Sequence, residues 1–312
     1  MLDHRNLLRL SSFVFLCILG QGFAQGPSCS SSATTIRNSA DATKLAACPT
    51  FTGNINIAAD AGRDIALDGI QTLRGYLSAD SANGLRSLSA DSLETVDGYM
   101  YLERLANLES LSMPKLQTVG QLRLNDLPAL SKLGFDATIN NCSNLFVSDT
   151  ALLTLDGLDP EGITNGFQVT SNKNLENITM SVASTMATVA SNVTIANNSP
   201  ALYVSLPNLA AAQNLVITNA TQISLPALQH AYILSLMSNA FTEFSAPKLE
   251  SVGNDTMGIT IQSNQGVTTL DFPVLARTGV LTVLDNTRLQ NLVLPKLQLV
   301  PNGIMLEGNL AK

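Results

Sequence analysis

The sequence predicts an all-β protein, a right-handed β-solenoid of leucine-rich coils of about 20–25 residues, with a short helix capping its amino-terminal end. Three observations predict this fold. A short strand ending in Asn recurs along the chain, a Pro-x-Leu segment recurs with the same period, and apolar residues alternate within each strand. Because two independent markers share one period, we interpret the chain as a stack of equivalent units.

The strand that ends in Asn is the first marker. Asn has a role at this place because it tolerates a left-handed turn and its side chain bonds to backbone groups of a neighbouring coil. The asparagines that follow these strands are Asn172, Asn197, Asn219, Asn239, Asn264, Asn286 and Asn309.

The Pro-x-Leu segment predicts a corner, because Pro donates no backbone hydrogen bond to a sheet. Its prolines are Pro114, Pro207, Pro226, Pro247, Pro273 and Pro295. Alternation within the strands then predicts buried apolar ladders along the axis. The inward pairs are Val193 and Ile195, Leu215 and Ile217, Leu234 and Leu236, Ile259 and Ile261, and Leu281 and Val283.

The solenoid is related to leucine-rich repeats, but too little helix-forming sequence separates the strands for a leucine-rich-repeat horseshoe. Eleven or twelve coils are expected over residues 53–312, and the unit around 138–158 is the least regular.

Residues 1–24 are predicted to be a secretory signal peptide. Arg5 and Arg9 precede the apolar stretch Leu10–Leu19, and small residues at Gly22 and Ala24 fit a cut before Gln25. An uncleaved amino-terminal anchor is the alternative. After cleavage no membrane span is expected, since the apolar stretch is removed.

Residues 25–52 are predicted to form a cap over the first coil. A helix is expected over residues 36–47, with Asn38 or Ser39 as its N-cap and with Ile36, Ala40 and Leu45 facing inward. Cys29 and Cys48 are the natural disulfide pair, because a short loop separates them and secretion permits a bridge. Cys142 is left as a buried thiol, or alternatively as an intermolecular one.

Composition excludes several function classes. Charged residues form 13% of the chain and the net charge is −7, so nucleic acid is not an expected partner. The chain has two histidines, of which only His230 lies beyond the predicted leader. No Cys/His spacing indicates a metal site, no glycine-rich loop indicates a phosphate site, and no cofactor is expected.

Outward positions between the ladder residues define a candidate binding face. Thr and small residues there suit a surface for polysaccharide, protein or ice, or else a solvated sheet face of good β-formers. The face consists of Arg123, Phe146, Gln168, Thr194, Val216, Ser235, Thr260, Thr282 and Met305.

Asn-x-Ser/Thr sequons mark candidate glycosylation sites in a secreted chain. Asn197 and Asn219 are alternatively turn residues of the repeat, and Asn177, Asn192 and Asn254 are the favoured sites. The six sequons are Asn141, Asn177, Asn192, Asn197, Asn219 and Asn254.

Catalysis is not expected, and no catalytic residue is assigned. Asp60, Asp64 and Asp68 are spaced as in a solvated loop rather than paired across a glycosidic bond. His230 occupies a surface position of the repeat. A polysaccharide-active β-helix enzyme remains the runner-up, with a receptor-like or ice-binding module as a third candidate.

The amino-terminal cap resembles that of a known family. Cys29, the segment 36–41 (IRNSAD) and Cys48 leading into 53–57 (GNINI) are similar to the cap of fungal GPI-anchored wall-organisation glycoproteins of the sporulation-specific and protoplast-secreted type. Further matches are 145–150 with 155–158, and 244–249. The resemblance implies a receptor-L-domain-like solenoid, N- and O-glycosylation, a place in the cell wall or at the cell surface, and a non-catalytic role in wall organisation and integrity. Wall polysaccharides or wall glycoproteins are the implied partners.

The carboxy-terminal end departs from that family. The family continues with further coils, a Cys pair, a Ser/Thr-rich stalk and a GPI signal, whereas this sequence stops at Gly308–Lys312. The anchor is therefore not carried over, and a truncated product or a freely secreted protein is expected. Val293, Leu297, Leu299 and Ile304 would then be exposed, which predicts aggregation or end-to-end self-association.

Overall fold

The structure is a computed structural model that describes residues 28–159, 163, 165–182 and 190–308. The predicted signal peptide and the repeat asparagine Asn309 lie outside the described residues.

Nearly all of the regular structure is β. In chain order, the elements are β1 (Ser30–Ile36), α1 (Ser39–Thr43), β2 (Thr50–Ile57), β3 (Asp64–Ala66), β4 (Thr72–Arg74), β5 (Leu77–Asp80), β6 (Ser87–Ser89), β7 (Thr95–Glu103), β8 (Ser110–Ser112), β9 (Thr118–Leu127), β10 (Asn144–Thr150), β11 (Gly166–Thr170), β12 (Asn177–Thr179), β13 (Ala190–Ala196), β14 (Leu202–Ser205), β15 (Ala211–Thr218), β16 (Ala220–Ser224), β17 (His230–Met237), β18 (Glu243–Ser245), β19 (Ser251–Val252), β20 (Ile259–Gln262), β21 (Thr269–Asp271), β22 (Arg277–Thr278), β23 (Leu281–Asn286), β24 (Asn291–Val293) and β25 (Ile304–Gly308).

The strands form a parallel solenoid, which confirms the predicted fold class. One 16-stranded sheet runs along the molecule from β1 to β25, and each coil adds its strand beside that of the previous coil. Three shorter sheets of three strands each line another side: β3-β6-β8, β12-β14-β16 and β18-β21-β24. Coil length varies along the chain. The paired residues Leu215 and Leu234 are closer in sequence than the paired residues Phe167 and Val193.

The predicted apolar ladders form the core. Every residue of the five inward pairs predicted between Val193 and Val283 is fully buried. The ladders continue through the earlier coils, for example from Ile55 to Leu77 and from Leu77 to Met100. Because one coil cannot cover its own apolar edge, this burial depends on the coils on either side.

The Pro-x-Leu segments form tight turns. In each of them the N–H of the Leu donates to the carbonyl three residues earlier, as from Leu249 to Ala246 at 3.2 Å and from Leu228 to Leu225 at 3.3 Å. The proline therefore occupies the second position of a β-turn, where its fixed φ suits the geometry. Leu249 and Leu228 are buried, so the corner returns an apolar side chain to the core as predicted.

The asparagines occupy two positions rather than one, which corrects the single repeat position predicted for them. Asn197 and Asn219 have positive φ of 55° and 63°, as expected for a left-handed turn. Asn172, Asn239 and Asn264 lie one position later in their coils and are buried, and the preceding residue in each case takes the positive φ. In these coils the residue before the buried asparagine has a left-handed backbone conformation, which turns the chain out of the sheet.

The buried asparagines form a hydrogen-bonded ladder between coils. Asn264 Oδ1 accepts from the N–H of Asn239 at 2.9 Å, and Asn286 Oδ1 accepts from the N–H of Asn264 at 3.0 Å. Each side-chain Nδ2 donates to a strand carbonyl of the preceding coil, as from Asn264 to Leu236 at 3.0 Å. These bonds satisfy backbone groups that the turn leaves without a sheet partner.

The cap has the predicted N-cap and disulfide but a shorter helix. Asn38 accepts from the N–H of Asp41 at 3.1 Å, and Cys29 is bonded to Cys48 with 5.4 Å between their Cα atoms. Helix α1 covers only Ser39–Thr43, because Ile36 belongs to β1, which pairs with β2 in the long sheet. The inward assignment of Ala40 is wrong, since Ala40 is exposed and Ala42 is buried in its place.

Candidate functional site: the outward face of the long sheet

The predicted candidate face is one continuous stripe on the outside of the long sheet. Arg123 pairs with Phe146, Phe146 with Gln168, and Gln168 with Thr194. The same register carries the stripe through Val216, Ser235, Thr260 and Thr282 to Met305. Parallel pairing puts equivalent residues of successive coils side by side, so the stripe follows the axis of the solenoid.

The stripe extends further toward the amino terminus than the sequence analysis placed it. Arg123 pairs with Tyr101, Tyr101 with Ser78, and Ser78 with Asn56. Asn56 pairs in turn with Thr35 in the cap. Alternation within these earlier strands could have identified the positions, but they lack the Asn marker that set the register of the later coils.

Three of the five tyrosines of the chain stack on this face. The ring centroids of Tyr76 and Tyr99 lie 4.3 Å apart with planes 10° from parallel, and those of Tyr99 and Tyr101 lie 4.1 Å apart. Burial, together with a hydrogen bond to Tyr76, raises the pKa of Tyr99 to about 12. The phenol of Tyr99 therefore remains neutral at physiological pH.

Two glycines allow the coils that carry Tyr76 and Tyr99 to lie close together. Gly75 and Gly98 precede Tyr76 and Tyr99, and a Cβ atom on Gly98 would lie 2.6 Å from the carbonyl oxygen of Gly75. The two coils approach here too closely for any side chain. This close approach of the backbones brings the following rings into stacking distance.

Arg123 continues the stack and links it to Phe146. Its guanidinium carbon lies 4.9 Å from the ring centroid of Tyr101 and 5.1 Å from that of Phe146. Arg123 Nη1 is 3.4 Å from Glu103 Oε1, and the Tyr101 hydroxyl donates to Gln121 at 2.7 Å. The guanidinium is thus held between two rings and a carboxylate.

A concavity of about 200 Å³ opens beside Arg123 and Phe146. Polar side chains form most of its remaining wall, and Ser148 Oγ contacts Asn125 Oδ1 at its edge. The lining residues are Glu103, Arg123, Asn125, Phe146, Val147, Ser148 and Gln168. An aromatic ring, an ion pair and two amides converge at this concavity.

The sequon asparagines differ in exposure. Asn141, Asn192, Asn197 and Asn254 are exposed, whereas Asn177 and Asn219 are half-buried. Asn192 lies on the long sheet and accepts from Asn214 Nδ2 at 2.6 Å, and Asn254 Nδ2 donates to the Tyr232 hydroxyl at 2.9 Å.

His230 has two polar neighbours. Its Nδ1 is 2.8 Å from Ser251 Oγ, and its Nε2 is 4.0 Å from the carboxylate of Glu250. Ser251 follows Glu250 and pairs with His230 across adjacent coils, so the contact repeats the register of the sheet.

Among the described residues, no three His, Cys, Asp or Glu side chains come close enough to hold a metal ion.

The helix found within the described ranges is α1, which has five residues. No helix in these ranges has the length and apolar character needed to cross a membrane.

Comparison with known proteins finds several fungal surface proteins. A cell surface GPI-anchored protein of Arthroderma benhamiae is 30% identical over 277 residues, covering 88% of this chain and 69% of the relative. Protein ecm33 of Aspergillus fumigatus is 27% identical, covering 77% of this chain and 59% of its own length. Cell wall mannoprotein PST1 of Saccharomyces cerevisiae is 31% identical, covering 68% of this chain and 47% of its own length.

The chain thus spans between about half and two thirds of these relatives. No protein-family profile matches the chain. No solved structure matches it either.

Proposed function

The chain belongs to the family of fungal GPI-anchored cell-surface proteins, and on that premise we propose that it is a glycoprotein of the fungal cell wall or cell surface that contributes to wall organisation and integrity without catalysing a reaction. The observation that carries the proposal is the 30% identity shared with a cell surface GPI-anchored protein over 88% of the chain. A match of 277 residues includes most of the repeated region.

The fold supports a scaffolding role. Thirteen strands follow one another along the main path of the long sheet, and a strand spacing of about 4.8 Å gives a face roughly 60 Å long. Backbone hydrogen bonds tie each coil to the next, and the Asn ladder adds further bonds between the later coils, so the face is rigid. A rigid extended face suits contact with wall polysaccharide or with other wall glycoproteins, because little conformational entropy is lost on binding.

The arrangement of the polar residues favours a non-catalytic role. His230 bonds to Ser251 through Nδ1, while Glu250 is 63% exposed and 4.0 Å from Nε2. A hydrolytic triad instead needs a buried acid that orients the imidazole toward the nucleophile. Asp60, the first of the three spaced carboxylates, is exposed and faces Arg37 at 3.9 Å.

Ice binding is not favoured by the face. An ice-binding surface would need an unbroken flat Thr stripe, but Tyr101, Arg123, Phe146 and Val216 interrupt the threonines of this stripe.

Glycosylation is proposed at Asn141, Asn192 and Asn254, which are three of the four exposed sequons. Asn177 is half-buried in β12, which makes it a poorer acceptor than the sequence analysis assumed. Asn197 and Asn219 are left-handed turn residues, and their backbone conformation places them at corners. Mass spectrometry of glycopeptides from the secreted chain would identify the occupied sites.

The test of the proposed function combines location with a phenotype. The chain is expressed with an epitope tag in its source organism, and the wall, membrane and medium fractions are assayed. We expect the tag in the wall or medium fraction, and we expect deletion of the gene to raise sensitivity to wall-binding dyes. Retention of the tag inside the cell, or a deletion strain with unchanged wall resistance, would contradict the proposal.

A further inference from the structure

We propose that the concavity between Arg123 and Phe146 binds one pyranose ring of a neutral polysaccharide. This inference deepens the proposed function, on which it rests, by naming the ligand class and its residues. The ring of Phe146 would lie against the apolar face of the sugar. Arg123, Glu103, Asn125 and Gln168 would hydrogen-bond to its hydroxyl groups.

The chemistry of the lining matches a sugar. A pyranose has an apolar face of C–H groups and a rim of hydroxyls that both donate and accept. The concavity offers an aromatic ring, a guanidinium donor, a carboxylate acceptor and two amides that do both. Ligand sites commonly combine such an apolar surface with a few placed polar groups.

Arg123 lies over the ring of Phe146 from β9, whereas β11 places a glycine beside the ring. Gly166 occupies the next coil, and a Cβ atom there would lie 3.5 Å from Phe146 Cζ. The side of the ring that faces β11 is therefore bordered by a glycine and by the exposed Gln168. A larger residue at position 166 would pack against the ring and compete with a ligand for its surface.

The site is organised before a ligand arrives. Arg123 is fixed between Tyr101 and Phe146, and Tyr101 is fixed by Tyr99 and by its hydrogen bond to Gln121. Because the long side chain of Arg123 is already ordered, its rotamer entropy is not lost on binding. The tyrosine stack thus has a role beyond coil stability, since it positions the guanidinium.

Charge indicates a neutral ligand. The positive charge of Arg123 is offset by Glu103, whose Oε1 lies 3.4 Å from Arg123 Nη1. An uncharged, hydroxyl-rich chain complements such a site. A net charge of −7 on the whole chain further disfavours an anionic polysaccharide.

The experiment measures binding of defined oligosaccharides to the full secreted chain. Isothermal titration calorimetry uses hexamers of β-1,3-glucose, β-1,4-N-acetylglucosamine and α-1,6-mannose in separate arms, which distinguish the possible wall sources of the shared pyranose chemistry. We expect at least one hexamer to bind, with an affinity that changes little between low and high salt.

The variants locate the site. Phe146→Ala should weaken binding by at least about tenfold, because it removes the aromatic ring. The more conservative Gln168→Ala should also weaken binding. Gln168 is exposed, so its truncation leaves folding intact. Val216→Ala is the matched control, because Val216 lies on the same stripe three strands further along. It should leave the affinity within about twofold of the parent.

Several results would overturn the inference. It fails if no hexamer binds the parent chain, or if Val216→Ala weakens binding as much as Phe146→Ala does. Binding of these uncharged hexamers that high salt abolishes would also contradict it, because contacts of an aromatic ring and hydrogen bonds with a neutral sugar are not screened by salt. If the tagged chain still locates to the wall in these cases, the proposed function stands and only this site is wrong.

Discussion

Replacing Asn264 by alanine should strongly destabilise the solenoid, although the substitution removes only a small polar side chain. Asn264 is fully buried, its Oδ1 accepts from the N–H of Asn239 at 2.9 Å, and its Nδ2 donates to the carbonyl of Leu236 at 3.0 Å. Alanine leaves one buried donor and one buried acceptor without these partners. At about 1–3 kcal/mol for each unsatisfied group, the free energy of unfolding should fall by about 2–6 kcal/mol.

The neighbouring residue provides the matched control. Ser263 has φ of 57°, a conformation that glycine adopts without strain, so Ser263→Gly should change the free energy of unfolding by no more than about 1 kcal/mol. Guanidinium unfolding followed by circular dichroism measures both variants. Equal losses in the two variants, or a loss below about 1 kcal/mol in Asn264→Ala, would refute the assignment of the ladder.

Three further predictions concern the ladders and the cysteines. Ile261→Asp places an unpaired charge in the core and should unfold the local coils. Thr260→Asp points outward and should lower the free energy of unfolding by less than about 1 kcal/mol. Similar melting temperatures in the two variants would show that the inward and outward faces are assigned wrongly. Loss of the Cys29–Cys48 bond through Cys48→Ala should lower the free energy of unfolding by about 3 kcal/mol, and non-reducing peptide mapping should find the two cysteines linked in the parent chain. Burial raises the pKa of Cys142 to about 11, so its thiol should resist alkylation in the folded protein at neutral pH and react only after denaturation; rapid labelling of the native chain would contradict its burial.

The repeating pattern made much of the fold predictable. Alternation of apolar residues specifies which side of a strand faces inward, and the shared period of Asn and Pro-x-Leu specifies how successive strands align. The sequence therefore predicts that Leu234 and Leu236 face inward and that Thr260 and Thr282 lie on one outward stripe. The pairing of Cys29 with Cys48 followed from their short separation.

Other features depended on contacts between coils that no single segment encodes. Asn197 and Asn264 both follow a strand, yet only the tertiary structure shows that one turns the chain while the other bonds two coils from inside. The cap helix is shorter than predicted because Ile36 pairs with Ile57 in the long sheet and residues 44–47 form turns.

The candidate site shows the same division. The sequence by itself determined that Arg123, Phe146 and Gln168 share an outward stripe, because a period of two fixes the side of a strand on which a residue lies. Only the tertiary structure decided that Tyr76 and Tyr99 belong with them, since the close approach of Gly75 and Gly98 sets the distance between their coils. Stacking, ion pairing and the shape of a concavity depend on separations of a few ångströms between residues some twenty positions apart, and those separations exist only once the coils have packed.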